Sequence, residues 1–173
     1  GRNSKFILYN NHMETTKRIL FGDSYFGAIM RIILLFVLFT FPFFNKYNIT
    51  YLIGNSMYSQ FDDGEMVVVE RNKGYYTPKR YDVISIQRED ELWIKRIIGL
   101  PGDHVKYGSG RVWLNGTRET TFEYLNFNEI PRSSFISFEG IVPEGMVWVI
   151  GDNRYNSAHD FIYIQDIIGK VVY

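Results

Sequence analysis

Residues 28–44 read AIMRIILLFVLFTFPFF, an apolar run of 17 residues whose only charge is Arg31 and which holds Pro42 near its end. In lipid every backbone polar group must be satisfied internally, so such a run is either a helix crossing a bilayer or a helix packed in a core. At 1.5 Å per residue it reaches roughly 25 Å, short of the ~30 Å hydrocarbon core, so a span requires Arg31 to snorkel and Tyr47 and Tyr51 to meet the far interface. A cleavable secretory signal would be followed by small residues, whereas Asn45-Lys46-Tyr47-Asn48 follows here. The run therefore reads as an uncleaved anchor. Lys5, Lys17 and Arg18 precede it and Arg31 lies near its start, while only Lys46 lies close behind it before Arg71, a bias that keeps the N-terminus in the cytoplasm. The expected organisation is a cytoplasmic segment at 1–27, a single-pass anchor of the cell membrane at 28–46 and an extracytoplasmic domain at 47–173.

Beyond the anchor, apolar residues recur in short strand-like runs at 66–70, 82–87, 92–98, 111–114, 121–127, 146–150 and 167–173. Asp63-Gly64, Pro101-Gly102, Gly108-Ser109-Gly110, Asn115-Gly116 and Pro143-Glu144-Gly145 punctuate them as turns. The pattern predicts a mainly β fold: one compact antiparallel unit with curled or barrel-like sheets. The 13 Tyr and 14 Phe suit both a β-rich domain and contact with a membrane interface. The 19 basic and 19 acidic residues balance, so no global field draws in nucleic acid. The chain has no cysteine, which excludes disulfides, thiolate metal sites and a cysteine nucleophile. No cluster of ligand residues suggests a metal, and no cofactor is expected.

Ser56 and Lys95 are the candidate reactive pair. A serine hydroxyl needs a base, and the three histidines offer little support for a Ser-His-Asp triad. His12 precedes the anchor, His104 sits in a turn, and no Gly-x-Ser-x-Gly elbow surrounds Ser56 to make His159 its partner. Lysine can serve if burial lowers its pKa from ~10.4 by a few units. Alternation along 92–98 puts Trp93 and Ile97 beside Lys95 on one face, an apolar setting that disfavours an ammonium. The competing reading is a surface lysine whose stem covers apolar neighbours.

Several boxes occur in order: Gly54-Asn55-Ser56-Met57, Phe61-Asp62-Asp63-Gly64-Glu65-Met66, Arg80-Tyr81-Asp82-Val83-Ile84, Ile94-Lys95-Arg96-Ile97-Ile98-Gly99-Leu100-Pro101-Gly102-Asp103, and Gly151-Asp152-Asn153-Arg154 with Asn156-Ser157. Together they resemble the bacterial type I signal peptidases, membrane-anchored serine proteases with a Ser-Lys dyad. The resemblance implies that Ser56 is the nucleophile and Lys95 the base. Ser157 would hydrogen-bond the Lys95 amine, and Arg96 with Asp152 would form a supporting ion pair. It also implies an oxyanion held by the Ser56 N–H; Gly54 stands where some relatives add a serine hydroxyl, so a backbone group or water must substitute. Met57, Phe61, Trp93 and Ile94 would wall the pocket next to the cut. The implied partners are exported preproteins, cleaved after small residues at the signal peptide, and the lipid bilayer; a monomer is expected.

Two departures bear on activity. The nucleophile box runs on as Met57-Tyr58-Ser59-Gln60, without the usual proline and threonine. The last box ends Ser157-Ala158-His159-Asp160-Phe161 in place of Ser-x-Asp-Ser-Arg, so Asp160 or His159 takes the acidic place and the arginine is missing. A specialised or non-catalytic relative that binds peptides or assists surface-protein or pilus assembly is the alternative. A purely structural β-domain would explain the composition but not the boxes.

Overall fold

In a computed structural model the chain is described over residues 25–74, 76–88, 91–124 and 137–172. Helix α1 spans Tyr25–Lys46, 22 residues or about 33 Å, which removes the shortfall of the 28–44 run. Gly27 is its only buried residue, and it is long and apolar enough to cross a membrane. The chain divides into two units between Asn45 and Lys46. Most of the segment expected to be cytoplasmic, His12 included, lies outside the described residues.

The second unit is antiparallel β-structure. Its first sheet has the order β1 (Tyr47–Tyr51), β2 (Met66–Arg71), β11 (Ile167–Val172), β3 (Val83–Arg88), β4 (Glu91–Gly99), β9 (Met146–Ile150) and β10 (His159–Tyr163). The second has the order β7 (Thr117–Glu119), β6 (Arg111–Leu114), β5 (His104–Gly108) and β8 (Phe138–Ile141). The strand order is open, with β1 and β10 as edges of the larger sheet, rather than a closed barrel. The expected strand at 121–127 is a single bridge from Tyr124 to Asn153, and 125–127 lie outside the described residues.

Burial follows strand position. In β11 buried and half-buried residues alternate, whereas β9 and the second half of β4 are buried continuously because both of their faces are covered. Ile98, Val105, Tyr107, Val112, Trp148 and Ile150 form a core fed by both sheets. The hairpin signals act as predicted: Ser109-Gly110 and Asn115-Gly116 take positive φ at both positions, the geometry of two-residue turns whose twist matches the flanking strands.

Candidate active site

Ser56 sits just beyond the end of β1, on a loop pinned from below. The Leu52 N–H donates to the Glu65 carbonyl, and the Gly64 N–H to that of Leu52, both at 2.8 Å, carrying the β1–β2 pairing one step further. The Gly54 N–H then donates to Asp63 Oδ1 at 2.7 Å, and Gly54 takes φ +88°, which turns the chain toward the serine. After Ser56 a tight turn closes as the Gln60 and Phe61 N–H groups both donate to the Met57 carbonyl at 3.1 Å. Met57 and Phe61 point into the core with Leu52, Val67, Val69 and Ile94. They anchor the serine loop at 0% and 3% exposure, and neither is among the residues that line the cleft around Ser56. The turn reverses the chain, so apolar side chains near the serine face inward.

Lys95 lies in the buried half of β4, and its Nζ is 2.7 Å from Ser56 Oγ. It is 6% exposed. Burial lowers its pKa to about 8, with the nearby Asp152 carboxylate pulling the other way. As alternation predicts, the Trp93 indole flanks it, its centroid 5.5 Å from Nζ. The pair opens into a cleft of about 720 Å³, with residues 50–56 on one wall and 91–95 on the other, and Asn156 and Ala158 also lining it. Trp93 and Ile94 line this cleft. β9 pairs with β4 only from Arg96 onward, so the stretch from Glu91 to Lys95 is bonded to β3 alone and presents its other edge to the cleft.

The last box grips the nucleophile from behind. The Asn153 N–H donates to the Ser56 carbonyl, and Asn153 Nδ2 to the Asn55 carbonyl, both at 3.1 Å. A Cβ on Gly151 would come within 2.1 Å of the Ser56 carbonyl oxygen and 2.5 Å of Ser157 Oγ, so only glycine fits there. Ser157 Oγ accepts from the Gly151 N–H at 2.7 Å and donates to the Ala158 carbonyl at 2.9 Å. The hydrogen bond expected between Ser157 and Lys95 is not formed among the described residues; Ser157 fastens the box that holds Ser56.

Arg96 points the other way from Lys95 and binds Asp152 in a fork, Nε to Oδ1 at 2.8 Å and Nη2 to Oδ2 at 2.6 Å. It also donates to the Tyr81 carbonyl at 2.7 Å and to Gln60 Oε1 at 2.8 Å, with the Phe122 ring 3.8 Å from its Cζ. This pair is buried, 2% and 4% exposed at the side chains, so breaking it would strand a charge. Gln60 and Phe122 carried no motif signal, and neither was foreseen. His159 packs its ring against Tyr107 and Trp148, at 4.5 and 5.4 Å between centroids, and burial lowers its pKa. It belongs to an aromatic cluster and does not line the Ser56 cleft. Among the described residues no group of His, Asp and Glu could hold a metal ion.

The sequence profile described as signal peptidase, peptidase S26, matches residues 23–173. The chain is 30% identical over 134 residues to signal peptidase I of Bacillus caldolyticus, covering 68% of this chain and 73% of that protein. It is 34% identical over 117 residues to signal peptidase I T of Bacillus subtilis strain 168, covering 62% and 60%. It is 32% identical over 141 residues to signal peptidase IB of Staphylococcus aureus strain COL, covering 68% and 72%. A crystal structure of a signal peptidase I from Enterococcus faecalis V583 aligns with a TM-score of 0.45 at 27% identity, over 56% of this chain and 98% of that one. With the family profile covering all but the first 22 residues, the chain belongs to the bacterial type I signal peptidases of peptidase family S26.

Proposed function

We propose that the protein is a membrane-anchored serine endopeptidase that removes signal peptides from exported preproteins after small residues, with Ser56 and Lys95 as its dyad. The observation that carries this reading is the 2.7 Å contact between a buried Lys95 amine and the Ser56 hydroxyl at the floor of an open cleft. With Lys95 neutral, the Ser56 O–H donates its proton to Nζ as Oγ attacks the scissile carbonyl. The ammonium then gives that proton to the departing amine, leaving an ester on Ser56. Water attacks the ester, losing a proton to Lys95, and the proton returns to Oγ as the new carboxyl terminus leaves.

The Ser56 N–H has no acceptor among the described residues and lies on the loop clamped by Asn153, so it suits the developing oxyanion. The free edge of β4 from Glu91 to Lys95 suits an extended peptide added as a further strand. Leu52, Ile53, Trp93 and Ile94 crowd the cleft near the dyad, which favours small side chains at the cut. Helix α1 would be the anchor, with the N-terminus in the cytoplasm and the β-domain outside. The retention of both dyad residues in bonding contact favours catalysis over a peptide-binding role, since binding alone needs neither. Incubating the detergent-solubilised chain with a preprotein bearing an Ala-x-Ala site tests the reading. Cleavage at that site, abolished in Ser56→Ala, is the expected result; no cleavage by the unaltered chain would overturn it.

A further inference from the structure

The last box lacks the arginine that its resemblance calls for, yet its acidic residue is not left alone. Asp160 forms a salt bridge with Arg88, at the end of β3. The same guanidinium lies 5.6 Å from the centroid of the Trp93 ring, and that ring lies 5.5 Å from Lys95 Nζ. The sheet register explains how these groups meet. Ile84 pairs with Lys95, Ile86 with Trp93 and Arg88 with Glu91, so Arg88, Glu91, Trp93 and Lys95 share one face. Ile97 pairs with Val149 and Val149 with Asp160, which brings Asp160 to the same face from β10. Glu91 completes the arrangement, as its Oε2 accepts from the Trp93 indole N–H at 3.2 Å. The indole is thus held at its polar end by one carboxylate and beside its ring by a cation that a second carboxylate fixes.

We propose that Arg88 supplies from β3 the cation missing from the last box, and that the Arg88–Asp160 pair is a positioning device that keeps the Trp93 indole over Lys95 and water away from it. The inference rests on the Ser-Lys reading of the site. Its chemical meaning is that the ammonium form of the base is disfavoured with help from a contact that ties the last box to β3. The half-exposed pair, 45% and 31% at the side chains, contributes little to stability, so its effect is local to the indole. Among the described residues the charge that acts on Lys95 is Asp152, itself forked to Arg96, while Glu91 on the same strand and Arg88 on β3, bridged to Asp160 on β10, are gathered about the Trp93 ring.

The two ways in which Asp160 could influence Lys95 have opposite signs. As a bare anion it would favour the ammonium, and Asp160→Ala would lower the Lys95 pKa; as the residue that fixes Arg88 and the indole, its loss admits water and raises that pKa. The test is competitive acetylation of Lys95 against pH in the full chain in detergent, read by mass spectrometry, beside cleavage of an Ala-x-Ala preprotein. Arg88→Ala and Asp160→Ala are each expected to move the Lys95 midpoint upward by about half a unit to one unit and to lower kcat/KM near pH 8 by about 3- to 10-fold, with the melting temperature nearly unchanged. The double variant should be no worse than either single one, Arg88→Lys should recover most of the loss, and Trp93→Ala should show the same upward shift. A midpoint unmoved in Arg88→Ala, a midpoint lowered in Asp160→Ala, or additive effects in the double variant would overturn the proposal. If the unaltered chain does not cleave, the catalytic reading falls while the acetylation series still decides the placement of Trp93.

Discussion

The Asn153 N–H donates to the Ser56 carbonyl at 3.1 Å, so the peptide that carries the nucleophile is held by a residue 97 positions further along the chain. A second bond from Asn153 Nδ2 to the Asn55 carbonyl fixes the preceding peptide. The serine loop reaches Lys95 in one geometry because it is gripped on the face away from the cleft. Asn153→Ala keeps the backbone bond but loses the side-chain one. We expect kcat to fall about 10-fold with KM little changed, as for a small misplacement of a reacting atom. Steady-state kinetics on the Ala-x-Ala preprotein check it, and a loss confined to KM would count against a positioning role.

Gly151 has no room for a side chain. A methyl group there would meet the Ser56 carbonyl oxygen, a backbone atom that moves only if the serine loop moves with it. Gly151→Ala should therefore abolish detectable cleavage while the strands persist in far-ultraviolet circular dichroism. Ser157→Ala is milder, since it removes one acceptor from the Gly151 N–H and leaves the backbone path open. A fall of about 10-fold in kcat is expected. Full activity in Gly151→Ala would show that the observed packing of the last box on Ser56 is not the working one.

How far the sequence leads depends on whether a signal is local. Strands β2, β4, β9 and β11 were legible because alternation or continuous apolar runs end at turn residues. The Ser56–Lys95 pair was legible through its boxes, and the flanking of Lys95 by Trp93 through simple alternation. β1 was not, because it follows helix α1 directly with no turn signal between Lys46 and Tyr47. β10 was hidden because His159, Asp160 and Phe161 read as a damaged motif, although they pair with Ile150, Val149 and Trp148 as an ordinary edge strand. Met57 and Phe61, which the resemblance offers as pocket walls, pack in the core beneath the serine loop, because the turn after Ser56 reverses the chain. The Arg88–Asp160 pair joins β3 to β10, which are not neighbours in the sheet, so no spacing rule could have found it.

The buried fork between Arg96 and Asp152 should fail when either half is removed. Arg96→Met leaves the Asp152 carboxylate buried with only the more distant charges, and Asp152→Leu leaves the guanidinium; each should cost about 3–5 kcal/mol. The double variant should cost less than the sum of the two, because no charge is left unpaired. Urea unfolding followed by near-ultraviolet circular dichroism measures the cycle. Strict additivity would mean that the two side chains do not depend on one another.

Cleavage should need Lys95 in its neutral form. Its pKa is lowered to about 8, so kcat/KM should rise with pH to a plateau above that value and fall about tenfold for each unit below it. Lys95→Arg should be inactive at every pH, because a guanidinium keeps its proton throughout this range. His159→Ala should leave the ascending limb where it is, since that ring packs against Tyr107 and Trp148. A limb centred near the ~6.5 of free imidazole, lost in His159→Ala, would return the base to histidine.

The neutral lysine should also be visible in stability. Burial lowers the folded pKa to about 8, while the unfolded chain protonates near ~10.4. Between those values the unfolded state binds more protons, so stability rises with pH over that window and is lower beneath it. The difference of about two units corresponds to roughly 3 kcal/mol that folding forfeits at pH 7 to keep a base in the site. Lys95→Met fills the same space without a titrating group. It should be inactive yet more stable than the unaltered chain by about 1–3 kcal/mol at pH 7, the advantage shrinking toward zero near pH 10.5. Urea midpoints of the two full chains in detergent, taken from pH 7 to pH 10.5, measure this. A gap that stays constant across the range would mean that the Lys95 pKa is not depressed, and the case for lysine as the base would lose its physical ground.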